Sequence, residues 1–175
     1  GIIAIVFALF ANLPKPFTTI QLLFINLVTD SLPAVALGLE KPEKNIMNTP
    51  VRDSKESILD KVTLKTIVIR GSIIGIVTII AQFIGMKSSP ELGCAMAFLT
   101  LTLSRILQTL PSRSNTESIV KLGFTTNKYA LGAVGACLLM LLATLLPFMR
   151  SIFAIPEVFS LNNFITCLGL ALVSS

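Results

Sequence analysis

Asp30 is the residue around which chemistry can be built. Of the nine acidic residues, Glu40, Glu43, Asp53, Glu56, Asp60, Glu91, Glu117 and Glu157 fall in loops or at the ends of apolar runs, and Asp30 alone lies mid-run. A carboxylate at the centre of a membrane helix costs roughly 2.5–3.5 kcal/mol on insertion scales and is tolerated where it faces an ion path, a cavity or a partner. Its neighbours in Gln21-Leu-Leu-Phe-Ile-Asn26-Leu-Val-Thr29-Asp30-Ser31-Leu-Pro33-Ala34 include further oxygen donors. Asn26, Thr29 and Asp30 are spaced i, i+3, i+4, which in an α-helix puts amide, hydroxyl and carboxylate on one face. Pro33 has no N–H for the carbonyl of residue 29, four positions back, so a backbone oxygen is freed on that face. Such an all-oxygen cluster suits a hard cation, calcium taking about 6–8 oxygen ligands. A helix broken at mid-membrane is a recurrent way to build an ion site. The alternative is packing: interhelical hydrogen bonds for Asn26 and Thr29, and a partner on a neighbouring helix for Asp30.

Other chemistries drop out early. The chain has no His and no Trp, which removes histidine metal sites, Ser-His-Asp triads and Cys-His dyads. Cys94, Cys137 and Cys167 each sit inside an apolar run, and an odd, scattered set of this kind reads as small hydrophobes rather than a disulfide framework or metal site.

The elements that must position Asp30 are membrane helices. The 175 residues are 53% hydrophobic and only 13% charged, with a mean hydropathy of +0.84, where a soluble domain carries about 25% charged residues. A span needs about 20 apolar residues. Apolar runs at 19–39, 62–86, 92–110 and 129–149 meet that length, while 1–11 and 161–175 are partial. The predicted fold is all-α, a polytopic transmembrane helix bundle of four complete and two partial spanning helices. Residues 12–16, Asn-Leu-Pro-Lys-Pro, form a turn, and Lys87-Ser88-Ser89-Pro90-Glu91 makes a tight connection. The N-terminus lacks Met and a basic leader, and both ends fall inside apolar runs, so the chain is expected to be a fragment of something longer.

Lys and Arg orient the bundle. Lys41, Lys44, Arg52, Lys55, Lys61, Lys65, Arg113, Lys121 and Lys128 lie on one side, and only Lys15, Lys87 and Arg150 on the other. The positive-inside bias makes the first side cytosolic. The 40–61 loop is then a cytosolic surface, and the net charge of +5 reflects topology rather than nucleic-acid binding.

Gln21-Leu-Leu-Phe-Ile-Asn-Leu-Val-Thr-Asp30-Ser-Leu-Pro-Ala-Val-Ala-Leu-Gly38, followed by Pro42-Glu43-Lys44-Asn45-Ile46-Met47 and Pro50-Val51-Arg52, resembles the sixth transmembrane helix and following cytosolic loop of calcium-pumping P-type ATPases of the sarco/endoplasmic-reticulum type, bacterial members included. The other segments match in number, spacing and loop length. The resemblance implies that residues 1–175 are a C-terminal transmembrane fragment, from the end of the fifth helix to the start of the tenth. The catalytic cytosolic domains and first four helices would be absent from this chain. No Asp-Lys-Thr-Gly-Thr motif and no Gly-rich phosphate loop occur in it, so no catalytic or cofactor site is expected here.

Carried over, Asn26 and Asp30 match calcium ligands, Asp30 the one shared between the family's two sites, and Thr29 matches a ligand of the first. The sequence departs twice. The fifth-helix glutamate, counted back without gaps from Leu13-Pro14, falls at Gly1, and the eighth-helix glutamate falls in Leu101-Thr102-Leu103-Ser104-Arg105, which offers a cation. Arg105 either pairs near Asp30 or snorkels to the cytosolic face. Both departures imply one calcium per cycle, through the site resembling the second. The 40–61 loop resembles the loop that touches the phosphorylation domain, and is otherwise a solvated connector.

The resemblance thus implies the membrane portion of an ATP-driven calcium export pump, with calcium as transported ion and Mg-ATP used in the missing domains. Its partners would be the missing N-terminal helices and cytosolic domains of the same pump and membrane lipid, with no nucleic acid. Its place would be an integral, multi-pass one, in the plasma membrane if bacterial. Manganese is the runner-up ion. An ATP-independent cation transporter or channel subunit, and a purely structural bundle in which Asp30 pairs with Arg105, are the readings of other classes.

Overall fold

The computed structural model describes residues 5, 6, 10, 15–38, 61–109 and 128–174. Gly1 and most of the expected span at 1–11, the 40–61 loop up to Asp60 with its helix start near Asp53, and the 111–128 stretch up to Asn127 lie outside the described residues. Every regular element among those described is helical. In order they are α1 (Thr19–Phe24), a π-helical segment (Ile25–Asp30), α2 (Ser31–Gly38), α3 (Lys61–Met86), α4 (Pro90–Thr109), α5 (Lys128–Ala143), α6 (Pro147–Arg150) and α7 (Leu161–Ser174).

Two of these, Leu64–Met86 and Pro90–Thr109, are long and apolar enough to cross a membrane, and Thr19–Val35, Leu131–Ala143 and Leu161–Ser174 are shorter apolar helices. α3 leaves Ile67, Val68, Ile76, Ile80 and Phe83 exposed on its outer side. Such a row is unfavourable in water and suited to lipid.

Local sequence sets the boundaries. Ser89 caps α4, its Oγ accepting the Leu92 N–H at 3.1 Å. Pro90 follows at the first helical position, where a missing N–H costs nothing, and Glu91 sits in the first turn, where the helix dipole favours an acid. The α3–α4 hairpin closes because Gly85 and Gly93 have no side chains. A Cβ on Gly85 would stand 2.7 Å from the Gly93 Cα and N and from the Leu92 carbonyl oxygen. α5 stops at Ala143, short of the expected 149. Pro147 cannot donate to the Ala143 carbonyl, and the last turn tightens, with Leu145 N–H to Leu142 O at 3.0 Å and Leu146 N–H to Ala143 O at 3.1 Å.

α4 is the central helix, buried at every residue from Ala95 through Ser104 and packed against α3, α5, α7 and the π segment. In lipid, association of helices comes from packing and hydrogen bonds rather than from excluding water. Thr102 accordingly turns its hydroxyl back to the Phe98 carbonyl at 2.7 Å. Ser104 meets Ser174 at 2.7 Å, and Gln108 Nε2 donates to the Ser174 carbonyl at 3.2 Å, which joins α4 to α7. The cysteines are free thiols, with Cys137 and Cys167 buried. They pack as expected, Cys167 donating to the Met96 carbonyl at 3.6 Å and Cys94 to that of Lys15 at 2.8 Å.

Candidate cation site

The site residues lie on the helical stretch that runs from α1 through the π segment into α2. Thr18 opens it with a capping box, its hydroxyl accepting from Gln21 N–H while the Gln21 side chain accepts from Thr18 N–H. From Ile25 to Asp30 the hydrogen bonding widens from i−4 to i−5. Pro33 accounts for the break: both registers would aim its missing N–H at the carbonyl of Thr29 or Val28. Side chains take up part of the disturbed backbone. Thr29 Oγ1 donates to Ile25 O at 2.6 Å, Ser31 Oγ to Asn26 O at 3.4 Å, and the Cys137 thiol of α5 to Val28 O at 3.5 Å.

The π register changes which side chains share a face. Each residue of the wider helix turns through a smaller angle, so positions i and i+4 remain stacked while i+3 swings away. Asn26 and Asp30 both lie on the exposed side of the segment, whereas Thr29 is 3% exposed with its hydroxyl committed to Ile25. The single face expected for Asn26, Thr29 and Asp30 therefore holds for the first and last. Thr29 departs from it because the expectation assumed α geometry.

Arg105, on α4, donates through Nη1 to Asp30 Oδ1 and forms an ion pair with it. Of the two fates open to Arg105 in the sequence, pairing is the one adopted. The pair is open on one side, with 34% of the Arg105 and 43% of the Asp30 side chain accessible. Among the described residues no three or more His, Cys, Asp or Glu side chains converge on one point. An ion at Asp30 would draw its other oxygens from Asn26, from backbone carbonyls and from outside these residues.

Two contributors were not singled out from sequence. Gln21 is fully buried and donates through Nε2 to the Phe153 carbonyl at 2.7 Å. Its Thr-x-x-Gln pattern with Thr18 signals the cap but not the distant carbonyl. Cys137 reaches the π segment from more than one hundred residues away in sequence, and no local signal marks that contact.

Residues 14–175 match the family model described as "Cation transporting ATPase, C-terminus". The chain belongs to that family. Among relatives of this cation-transporting ATPase segment, calcium-transporting ATPase 1 of Lactococcus lactis is 54% identical over 174 residues, which cover 99% of this chain and 20% of that protein. A calcium-transporting ATPase of Listeria monocytogenes is 50% identical over the same shares. That of Bacillus subtilis is 37% identical over 87% of this chain and 17% of its own length. The cation-transporting ATPase segment thus spans about a fifth of the length of the first two relatives.

Proposed function

We propose that this chain is the C-terminal membrane part of an ATP-driven calcium export pump of the P-type, and that it contributes Asp30 and Asn26 to the transport site. The observation that carries the reading is the Asp30–Asn26 pair on the exposed side of a π-broken helix, with Arg105 as countercharge. The three relatives above are calcium-transporting ATPases, which favours calcium as cargo. Manganese, another oxygen-seeking cation, is the runner-up.

In the mechanism, the Asp30 carboxylate is held by Arg105 while the site awaits its ion. Calcium arriving from the cytosol draws on Asp30, the Asn26 amide oxygen and carbonyls of the π segment. Thr29 lies on the buried side and joins only if the segment turns. Those groups fall short of the about 6–8 oxygens calcium takes, and the missing N-terminal helices supply the rest. The guanidinium beside Asp30 repels a second divalent ion at the same carboxylate, so one calcium moves per cycle. ATP is hydrolysed with magnesium in the missing cytosolic domains, and the resulting rearrangement lowers affinity toward the far side. The bundle comprises four complete and two partial spans with the 40–61 loop cytosolic, and sits in the plasma membrane if the source is bacterial.

A structural-bundle reading is favoured by the same Arg105–Asp30 pair, and the two readings separate cleanly. In the full-length pump, Asp30→Asn is expected to abolish calcium activation of ATP hydrolysis while the protein still folds. Undiminished calcium activation overturns the assignment, and loss of folding alone supports the structural bundle.

A further inference from the structure

The broken helix is locked near its start, just ahead of the widened segment. The lock is a buried carboxamide. Gln21 has no exposed surface and uses both ends of its side chain: Oε1 accepts the Thr18 N–H at 2.9 Å, and Nε2 donates to the Phe153 carbonyl at 2.7 Å. Phe153 belongs to the α5–α7 connection, far away in sequence. That connection is built to present this carbonyl. Arg150 Nε donates to Leu145 O at 2.7 Å, Ile155 N–H donates to Arg150 O at 2.9 Å, and Ala154 takes a left-handed φ of 51° between two buried neighbours, Phe153 and Ile155. A non-glycine residue holds that conformation only where the surroundings determine it.

Aromatic rings complete the lock. Phe24 meets Phe153 edge-on at 5.2 Å and Phe98 of α4 at 5.8 Å, and Phe98 stacks on Phe153 at 5.9 Å. The Thr19–Gly38 stretch is therefore tied to α4 at two levels, by Phe24 on Phe98 near its start and by Asp30 on Arg105 further along. The π register begins immediately after Phe24.

We propose that Gln21 is a positioning residue for the cation site, acting through its hydrogen bond to the Phe153 carbonyl. The bond fixes the height and rotation of α1, and these decide where Asp30 and Asn26 point once the helix widens. All rearrangement during transport then occurs beyond Ile25, on the side of Pro33. The inference rests on the calcium-site reading above and names a residue outside the ligand set.

The test uses the full-length pump with three variants. Gln21→Met keeps the volume and removes both hydrogen bonds, Gln21→Glu keeps the acceptor for Thr18 but loses the donor to Phe153, and Thr18→Ala removes only the cap hydroxyl. Partners that orient metal ligands typically cost about tenfold or more in metal affinity when removed. Gln21→Met is accordingly expected to raise the half-saturating calcium concentration for ATP hydrolysis about tenfold with little change in the maximal rate. Thr18→Ala should leave half-saturation near wild type. Gln21→Glu should resemble Gln21→Met, and its defect relative to wild type should shrink as pH is lowered, because a protonated carboxyl again donates to the Phe153 carbonyl. If Gln21→Met does not fold, the pH-dependent recovery of Gln21→Glu decides. Half-saturation unchanged in both Gln21 variants, or shifted equally by Thr18→Ala, overturns the proposal. The outcomes stay separable: retained calcium activation in Asp30→Asn defeats the site reading, whereas its loss combined with indifferent Gln21 variants defeats the anchor alone.

Discussion

Two parallel helical stretches of similar length, Thr19–Gly38 and Pro90–Thr109, carry opposite charges that meet, yet they are built differently. α4 is a continuous α-helix in which Thr102 and Thr109 return to its own carbonyls, Ser104 and Gln108 bridge to α7, and most of the surface is buried. The other stretch is anchored near its start by the buried Gln21 and widens in its middle, where Asn26 and Asp30 stand on the exposed side while Thr29 is buried. On the proposed reading, α4 supplies the frame and the countercharge, while the broken helix offers the oxygens of Asp30 and Asn26 to the ion.

The comparison can be broken most forcefully at Pro33. Pro33→Ala restores an N–H and the α register, and Pro is about 3 kcal/mol worse than Ala in a helix interior. In the full-length pump this substitution should raise half-saturating calcium about tenfold, equivalent to about 1.4 kcal/mol, without lowering the thermal midpoint. A wild-type calcium response would show that the break is not needed. Gly85→Ala acts on the frame instead. Forcing a Cβ against Gly93 should cost about 1–3 kcal/mol of stability, seen as a lower midpoint in thermal unfolding, with half-saturating calcium unchanged. Ser104→Ala is the mildest change. Loss of the bridge to Ser174 should cost about 1 kcal/mol and leave calcium activation intact. A calcium effect from either frame variant would blur the division of labour.

The helix limits were largely legible. The runs at 62–86 and 92–110 appear as Lys61–Met86 and Pro90–Thr109, because Ser89-Pro90-Glu91 and the two hairpin glycines leave little freedom at that turn. Asp30 stood out for the cost of its charge, and Arg105 as its potential partner. The π register was not legible. Pro33 announces a disturbance, but whether the helix loosens by one residue depends on donors brought from elsewhere, such as Cys137 on α5. That is why α spacing groups Thr29 with Asn26 and Asp30 although it lies on the buried side. Which fate Arg105 takes depends on the rotation of α4, which packing sets and hydropathy does not.

The claim at the centre is that one carboxylate, Asp30, held beside one guanidinium, Arg105, makes a site for a single ion. The direct measurement is the number of calcium ions bound at saturation per full-length pump, by equilibrium binding of radioactive calcium. One ion for the wild type and none for Asp30→Asn is the predicted result. Two ions bound by the wild type, or one still bound by Asp30→Asn, would contradict it.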